Sequence, residues 1–417
     1  MKVIINIARV FVGVLFIFSG LIKANDPLGL SYKMQEFFEI WNEGLAKSSF
    51  FLSGTLVNLF EFLHDHSLAL SVIMIAFEII AGVALLIGWR MKLFSWLLLL
   101  LIIFFTFLTA YAFLSGKFKN CGCFGDCLPI TPLTSFLKDV LLTVLIFFLF
   151  FKKDKIKPLF SVKTGNIVML IVTILSFGMQ WYALKYLPFK DCLPFKVGNN
   201  IPEQMKMPAN AIPDSTVITF VYKKDGQNVE FTADKFPVDF SADKYQYVDR
   251  FDKVIRKGVN NEPPIKGLSL SGSTDEDSTA IVMGEPYAVL LFDEKFETPV
   301  SAWQADFAKL YREIQQKHVP VYVVTTSMDI AAAKLANTPF KDIPVFKCDY
   351  TVIRTAARTN PALYLLKEGT IVNKWSYKRF DDALKAFEQV PMLPKPGDIA
   401  APGADSMNVK ADSTNNR

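Results

Sequence analysis

The first half of the chain alternates long apolar runs with short polar connections. A helix that rises ~1.5 Å per residue needs about 20 apolar residues to cross the hydrocarbon of a bilayer. Five runs meet that length and carry almost no charge inside. The pattern therefore predicts five membrane-spanning helices, at Val3–Leu21, Ser67–Trp89, Leu93–Ser115, Leu133–Phe151 and Thr164–Leu184.

The connection between the first two runs, residues 22–66, is aromatic-rich rather than simply polar. Tyr32–Trp41 and Phe50–Leu63 show helical spacing of their apolar positions. We interpret both as helices that lie on the membrane surface, with their rings at headgroup level. The alternative interpretation is that they line a substrate groove.

From Val197 onward the pattern becomes that of a soluble α/β protein. Val217–Tyr222 and Val229–Thr232 flank Lys-Asp-Gly, which is typical of a β-hairpin. Residues 286–390 then read strand, helix, strand, helix, strand, strand, helix. These segments are Tyr287–Phe292, Val300–Gln316, Val319–Thr325, Met328–Ala336, Ala362–Leu366, Ile371–Trp375 and Phe380–Phe387.

The fold class predicted from these patterns is an all-α membrane helical bundle followed by an α/β domain with a small β-rich lead-in. We divide the chain into five parts. These are a membrane domain at 1–155, a loop with the fifth spanning helix at 156–190, the lead-in at 191–280, the α/β domain at 281–392, and a tail at 393–417 predicted to be disordered.

Composition and charge narrow the function. Of the 417 residues, 51% are hydrophobic and 38 are Phe, which excludes a disordered chain and an ordinary soluble protein. A net charge of +5 over this length makes no basic face, so nucleic-acid binding is not expected.

The positions of Lys and Arg predict the orientation. Lys2, Arg90, Lys92 and the lysines of 152–163 would all lie on one side of the membrane. By the positive-inside rule that side is cytoplasmic. The expected location is therefore a bacterial inner membrane, with the first span an uncleaved anchor and everything after residue 185 in the periplasm.

Four charged residues lie inside predicted spans: Arg9 in the first, Glu78 in the second, and Lys138 and Asp139 in the fourth. A carboxylate such as Glu78 in the second span must face the bundle interior, be protonated or pair with a polar neighbour. It could handle a proton or contact a quinone, or it could be a neutral carboxyl that links helices. Lys138 and Asp139 are interpreted as a pair at headgroup level.

Four of the five cysteines cluster at one membrane depth. Cys121, Cys123 and Cys127 lie in the loop before the fourth span, and Cys192 follows the fifth. A Cys121–Cys123 disulfide would close a small, strained and easily reduced ring, as in exchange-active disulfides. A structural disulfide, for example Cys127 to Cys192, is the alternative. A metal site is disfavoured because no His accompanies these thiols.

Several motifs in the first part resemble the MauE/DoxX-like membrane family. They are FSGLIKANDPLG at 18–29, Glu78, CGCFG at 121–125 and LKDVLL at 137–142. That family is a four-helix membrane domain, and MauE is associated with maturing a disulfide-rich periplasmic enzyme of methylamine oxidation. Versions fused to an outside domain by a further span occur in Bacteroidota. The resemblance implies a membrane partner in thiol–disulfide chemistry, with Cys121 and Cys123 as the matching pair.

The order of elements in 286–390 resembles a thioredoxin-like fold of periplasmic thiol proteins. Pro361 corresponds to the cis-proline of that fold. The stretch where active members carry Cys-x-x-Cys reads FDEKFETPVSAW at 292–303 and holds no cysteine. Cys348 is expected to be a small buried residue, so the domain resembles a degenerate thioredoxin-like module.

Two functions remain open, so whether this protein is an enzyme stays uncertain. One is a membrane component of thiol–disulfide exchange, in which Cys121 and Cys123 exchange, Cys127 or Cys192 resolves and Glu78 manages a proton. The other is a non-catalytic membrane scaffold that presents the degenerate domain to bind a protein. The partners expected are the lipid bilayer and a periplasmic client or thioredoxin-like protein. No cofactor is evident, and a quinone acceptor has only analogy with other membrane disulfide enzymes in its favour.

Overall fold

A computed structural model describes residues 1–47, 51–118, 122, 124–256 and 258–394. Cys121, Cys123 and the tail from residue 395 lie outside the described residues, as does Phe50 at the start of a predicted surface helix. The helical region contains seven α-helices. They are α1 (Lys2–Asn25), α2 (Pro27–Ala46), α3 (Ser53–Asp65), α4 (Ser67–Ile87), α5 (Met91–Ser115), α6 (Pro132–Phe151) and α7 (Val162–Tyr186).

Five of these helices, α1, α4, α5, α6 and α7, are long and apolar enough to cross a membrane. They coincide with the five predicted spans, and their bounds differ from the prediction by at most four residues. The helices α2 and α3 fill the connection where two surface helices were predicted. The protein is therefore a multi-pass membrane protein over its first 186 residues.

The close packing of α1 against α4 depends on glycine. A Cβ atom at Gly82 would lie 2.9 Å from the backbone oxygen of Gly13, and one at Gly20 would lie 2.6 Å from Ile79 Cγ1. Small residues let membrane helices approach until their backbones touch. The two helices therefore bring their side chains into direct contact along most of their length.

One end of the bundle carries a cluster of basic residues, and we call it the lysine end (Lys2, Arg90, Lys92 and the lysines of 152–163). Arg9 reaches this end and donates from Nε to the Leu85 carbonyl at 2.8 Å, which gives that carbonyl, at the end of α4, a second donor beside the Gly88 N–H. The opposite end carries Cys127 and Cys192, and we call it the disulfide end.

A three-stranded antiparallel sheet follows the bundle. After the short helix α8 (Ile201–Gln204), the chain forms β1 (Ser215–Lys224), β2 (Gln227–Thr232) and β3 (Gln246–Arg256), in the order β2-β1-β3. The hairpin predicted around Lys-Asp-Gly is β1–β2, with Asp225 and Gly226 at positive φ.

The last region is an α/β unit built on a five-stranded mixed sheet, in the order β6-β5-β4-β7-β8. Strands β5 and β6 run parallel to β4, whereas β7 is antiparallel to β4 and to β8. Its elements are α9 (Thr279–Gly284), β4 (Ala288–Phe292), α10 (Gln304–Gln316), β5 (Val321–Thr325), α11 (Met328–Leu335), β6 (Val345–Lys347), α12 (Tyr350–Ala356), β7 (Ala362–Lys367), β8 (Thr370–Ser376) and α13 (Phe380–Phe387).

Three of these elements, α9, β6 and α12, are absent from the predicted order of segments. Helices of six and seven residues and a strand of three are too short for apolar periodicity to be recognised. The omission matters because α12 leads directly into the segment that contacts the membrane region.

Candidate functional site

A disulfide joins Cys127 to Cys192 at the disulfide end, with their Cα atoms 4.9 Å apart. It ties the loop before α6 to the segment that follows α7. The end of α1 supports the same junction. Asn25 donates from Nδ2 to the Lys190 carbonyl at 2.8 Å, and its Oδ1 accepts from the Lys190 N–H at 2.9 Å. Two of the four cysteines predicted to lie at one membrane depth are thus bonded to each other.

Glu78 lies inside the bundle and forms a buried ion pair with Lys23 of α1. Its other oxygen, Oε2, accepts from the Ser19 hydroxyl at 3.2 Å, and Lys23 Nζ lies 4.8 Å from the centre of the Phe105 ring. Of the arrangements expected for an intramembrane carboxylate, the structure has the paired one. Sequence reasoning missed Lys23 as the partner of Glu78, although Lys23 lies in the motif FSGLIKANDPLG at 18–29.

A second charged pair, Lys138 with Asp139, lies on the neighbouring helix α6. Lys138 Nζ is 2.7 Å from Asp139 Oδ1, and Thr109 of α5 donates to Asp139 Oδ2 at 3.1 Å. Asp139 is buried, whereas the Lys138 side chain is 22% exposed. Lys138 and Asp139 therefore form the expected pair, with the Asp139 carboxylate buried between helices.

Two small cavities connect these charged groups to the loop before α6. One, of about 30 Å³, is lined by Lys23, Glu78, Asp139 and Phe124 among others. The other, also about 30 Å³, lies between Lys23, Lys33 and Gly122. A water molecule requires roughly 10–15 Å³ on this measure, whereas a cavity that binds benzene measures about 150 Å³. Each cavity has room for one or two waters and is too small for an aromatic ring.

Arg358 of the α/β unit is buried at the junction with the membrane region. Its Nε lies 2.8 Å from Asp26 Oδ2, and its Nη2 lies 2.9 Å from Asp126 Oδ2. Asp26 is the residue between α1 and α2, and Asp126 directly precedes Cys127. The side chain of Gly29 is only a hydrogen, which leaves space for both carboxylates: a Cβ there would lie within about 3.2 Å of each.

The electrostatics of this junction combine a cost of burial with the attraction between the paired charges. Burial raises the pKa of Asp26, against the lowering effect of the Arg358 guanidinium. Burial alone would lower the pKa of Arg358, but Asp26 and Asp126 outweigh it, so the pKa is raised. Both cations of this segment, Arg354 and Arg358, also lie over the ring of Tyr32 at 4.9 and 5.4 Å.

The turn after β4 faces the same junction. Glu294 accepts from Arg354 Nε at 3.0 Å, and Arg354 Nη1 donates to Gln35 Oε1 of α2 at 3.0 Å. The Glu294 N–H donates to Asn360 Oδ1 at 3.3 Å, next to the Asn360–Pro361 peptide bond, which is cis. The cysteine-free stretch 292–303 and the segment before Pro361 are therefore adjacent, and both are turned toward the disulfide end.

Two titratable groups of the α/β unit have pKa values displaced by burial. Burial raises the pKa of Asp293 to about 7, and its Oδ2 has no hydrogen-bond partner among the described residues. Burial also raises the pKa of the Cys348 thiol to about 11. Cys348 is thus an inert buried thiol at neutral pH, as expected for a residue that packs in the core.

The charged residues that sequence reasoning missed all lie in or next to a motif that it had identified. Asp26 lies in FSGLIKANDPLG, Asp126 directly precedes Cys127, and Arg354 and Arg358 lie just before Asn360–Pro361. Charged residues next to a motif could have been flagged, but their partners lie hundreds of positions away in the sequence.

Two parts of the chain match known family models. Residues 1–152 match the family model described as methylamine utilisation protein MauE, so the membrane region is similar to that family. Residues 210–257 match a domain of unknown function, DUF8463, and this range coincides with the sheet β1–β3.

A curated relative is Protein TlpB of Flavobacterium psychrophilum. The chain is 36% identical to it over 80 residues, which is 18% of this chain and 22% of that protein. The match therefore spans about a fifth of the relative's length.

Proposed function

We propose that this protein is a membrane component of thiol–disulfide exchange that acts at the disulfide end. The observation that carries the proposal is the Cys127–Cys192 disulfide. It uses two of the four clustered cysteines and leaves Cys121 and Cys123, in the same loop, as the pair available for exchange. Cys127 and Cys192 then hold the loop in place rather than resolve a mixed disulfide.

The exchange is balanced without a further reactant. One client thiolate attacks the Cys121–Cys123 disulfide, which breaks as a mixed disulfide forms and one loop sulfur leaves as a thiolate. A second client thiolate then attacks the client sulfur of that mixed disulfide, so that a client disulfide forms and the other loop sulfur is released. In the opposite direction, the loop thiols reduce a client disulfide. Each step passes through a mixed disulfide with the client, in which one sulfur of the loop is bonded to one of the client.

In this proposal Glu78 and Lys23 handle protons for the loop above them. Thiols must lose a proton to attack, and the two water-sized cavities lead from this ion pair toward Gly122 and Phe124. A quinone acceptor, if it serves this exchange, has to bind outside these two cavities, because neither has room for a ring.

We place the disulfide end on the periplasmic side of a bacterial inner membrane, because the lysine end carries the positive charge. Disulfides persist in that compartment. A topology reporter fused after residue 157 should then be cytoplasmic and one fused after residue 200 external. The reverse result would overturn the placement.

The α/β unit is proposed to be a thioredoxin-like module without dithiol chemistry that covers the exchanging loop. Its strand order, the cis peptide bond before Pro361 and the turn after β4 support that interpretation. A thiolate at the start of the following helix is what dithiol chemistry requires, and Asp293 and Glu294 stand in this turn instead.

Thiol trapping of the full chain in intact cells tests the proposal. The state of Cys121 and Cys123 should respond to the membrane oxidant, and Cys121→Ser should capture a client in a mixed disulfide through Cys123. Cys348→Ala is the matched control, because it removes a thiol that is buried and inert. Cys127 and Cys192 should stay oxidised in every variant.

The second candidate function is a scaffold that binds a protein without exchange. The observation in its favour is the buried contact of Arg358 with Asp26 and Asp126, which fixes the α/β unit on the membrane region. An oxidant-independent state of Cys121 and Cys123, with no mixed disulfide captured, would favour the scaffold over exchange.

A further inference from the structure

A groove of about 650 Å³ lies between the end of α7 and strand β8 with the turn that follows it. Its floor is formed by Tyr182, Tyr186 and Phe189, whose rings stack in series: Tyr182 lies 4.9 Å from Tyr186 and 4.7 Å from Phe189, centre to centre. The volume is in the usual range for small-molecule sites. This groove is separate from the cysteine cluster and plays no part in the proposed exchange.

The floor of the groove lies at one end of the last spanning helix, α7. Tyr182 and Tyr186 occupy the last two turns of the spanning helix α7, where aromatic rings mark the membrane–water boundary. Trp181 in the same turns is 53% exposed, and Phe189 just beyond is 57% exposed. An apolar chain adjacent to the groove would therefore contact exposed rings.

The walls of the groove carry an excess of positive charge. Lys196, Lys374 and Arg379 face two carboxylates, Asp191 and Asp382. The Asp191 carboxylate is already neutralised by Lys374 in an ion pair. Lys196 is exposed and forms no ion pair within the part of the chain that the structure describes.

Arg379 is held ready to bind an anion. Its Nη2 donates to the Tyr182 hydroxyl at 2.8 Å, and its guanidinium lies 5.5 Å from the centre of the Tyr186 ring. Its bond to Asp382 is long, at 3.5 Å, and leaves the side chain 43% exposed. A guanidinium fixed by its neighbours loses less entropy when it binds a phosphate.

From this combination of depth, charge and exposed rings, we infer that the groove binds the phosphate-bearing headgroup of an anionic phospholipid, with Lys196 and Arg379 as the phosphate contacts. A free phosphate has the same charge, but it gains nothing from the rings at the membrane boundary. The bound lipid would fix the α/β unit against the bilayer through β8 and α7.

The test uses the full chain in nanodiscs of phosphatidylcholine, with and without phosphatidylglycerol. Retained lipid is counted by native mass spectrometry, and affinity is measured by titration with phosphatidylglycerol. A cation near an anionic headgroup contributes about fivefold to affinity, so Lys196→Gln with Arg379→Gln should weaken binding about 25-fold. Lys309→Gln with Arg312→Gln on α10 makes the same change of charge on exposed side chains and should leave binding unchanged.

Two results would overturn the inference. One is equal affinity of the groove variant and the α10 variant. The other is that inorganic phosphate stabilises the detergent-solubilised chain as much as phosphatidylglycerol does, which would indicate an anion site rather than a lipid site. If the double variant fails to fold, Lys196→Gln alone decides the question, because the Lys196 side chain forms no ion pair among the described residues that the change would break; it should weaken binding about fivefold.

Discussion

The helical bundle and the α/β unit bury their polar groups in opposite ways. In the α/β unit the faces of the central sheet pack into two apolar clusters, and Asp293 at the end of β4 is a buried exception. In the bundle the exposed side chains are apolar, for example Leu100 and Leu114, whereas Arg9, Lys23 and Glu78 are inside. In the α/β unit, therefore, apolar side chains are buried in the core. In the bundle apolar side chains also cover the outer surface, and the charged side chains are the ones that mark the interior.

The largest expected effect comes from breaking the ion pair inside the bundle. Lys23→Met leaves the Glu78 carboxylate without its cation in apolar surroundings, which should cost ~3–5 kcal/mol of the free energy of unfolding. Glu78→Gln should cost less, because a neutral amide can still accept the Ser19 hydrogen bond. Thermal unfolding of the full chain in detergent measures both.

The double variant Lys23→Met/Glu78→Met sharpens the comparison. It removes both charges, so it should recover much of the stability lost by Lys23→Met. If the single variant Lys23→Met has the same thermal midpoint as the wild type, water reaches the Lys23–Glu78 pair and the bundle interior around it is hydrated.

The next effect concerns the junction between the regions. Arg358→Met leaves Asp26 and Asp126 facing each other, and should weaken the contact by ~3 kcal/mol. Hydrogen exchange should then rise in α12 and in the turn from α1 to α2. Arg312→Met, on an exposed face of α10, is the control; equal exchange in both variants would contradict the role of Arg358.

The buried carboxyl group of Asp293 should make the stability of the α/β unit depend on pH. The pKa of Asp293 is raised to about 7 in the folded state, so its neutral form stabilises the fold below the ordinary carboxyl pKa and this stabilisation is lost as pH rises to 7. Between pH 5 and 8 the loss should be ~2–3 kcal/mol. Denaturant unfolding of Asp293→Asn should lack this slope, whereas an unchanged slope would assign it to other groups.

The smallest effect separates the close helix pair from the remaining helices. Gly82→Ala places a Cβ against the backbone of Gly13 and should cost ~1–2 kcal/mol, because backbone cannot move aside as a side chain can. Gly178→Ala in α7 is the control, since its Cβ would meet nothing within 4 Å. Comparable thermal midpoints for the two variants would show that α1 and α4 can separate without penalty.

The sequence was sufficient for most of the regular elements, because their signals are local. The signal for each of these elements lies within about 25 residues of chain. Examples are the five apolar runs, the hairpin around Asp225 and Gly226, and strands such as Ala362–Lys367. The same holds for the depth of Cys127 and Cys192, which follows from the ends of the neighbouring helices.

The site itself could be predicted only in part, because its decisive contacts join distant residues. Lys23 is 55 positions from Glu78, and Arg358 is 332 from Asp26. Periodicity within a window carries no information on such partners. The pairing of Cys127 with Cys192 was one of several alternatives for the same reason, since four thiols allow three connectivities.

The Cys127–Cys192 bond also makes the polypeptide between these two positions topologically closed. A protease that cuts once between residues 128 and 191 would leave two fragments that migrate as one band on a non-reducing gel and separate only after reduction. The last spanning helix and everything that follows it would thus survive a break in the chain without leaving the membrane complex.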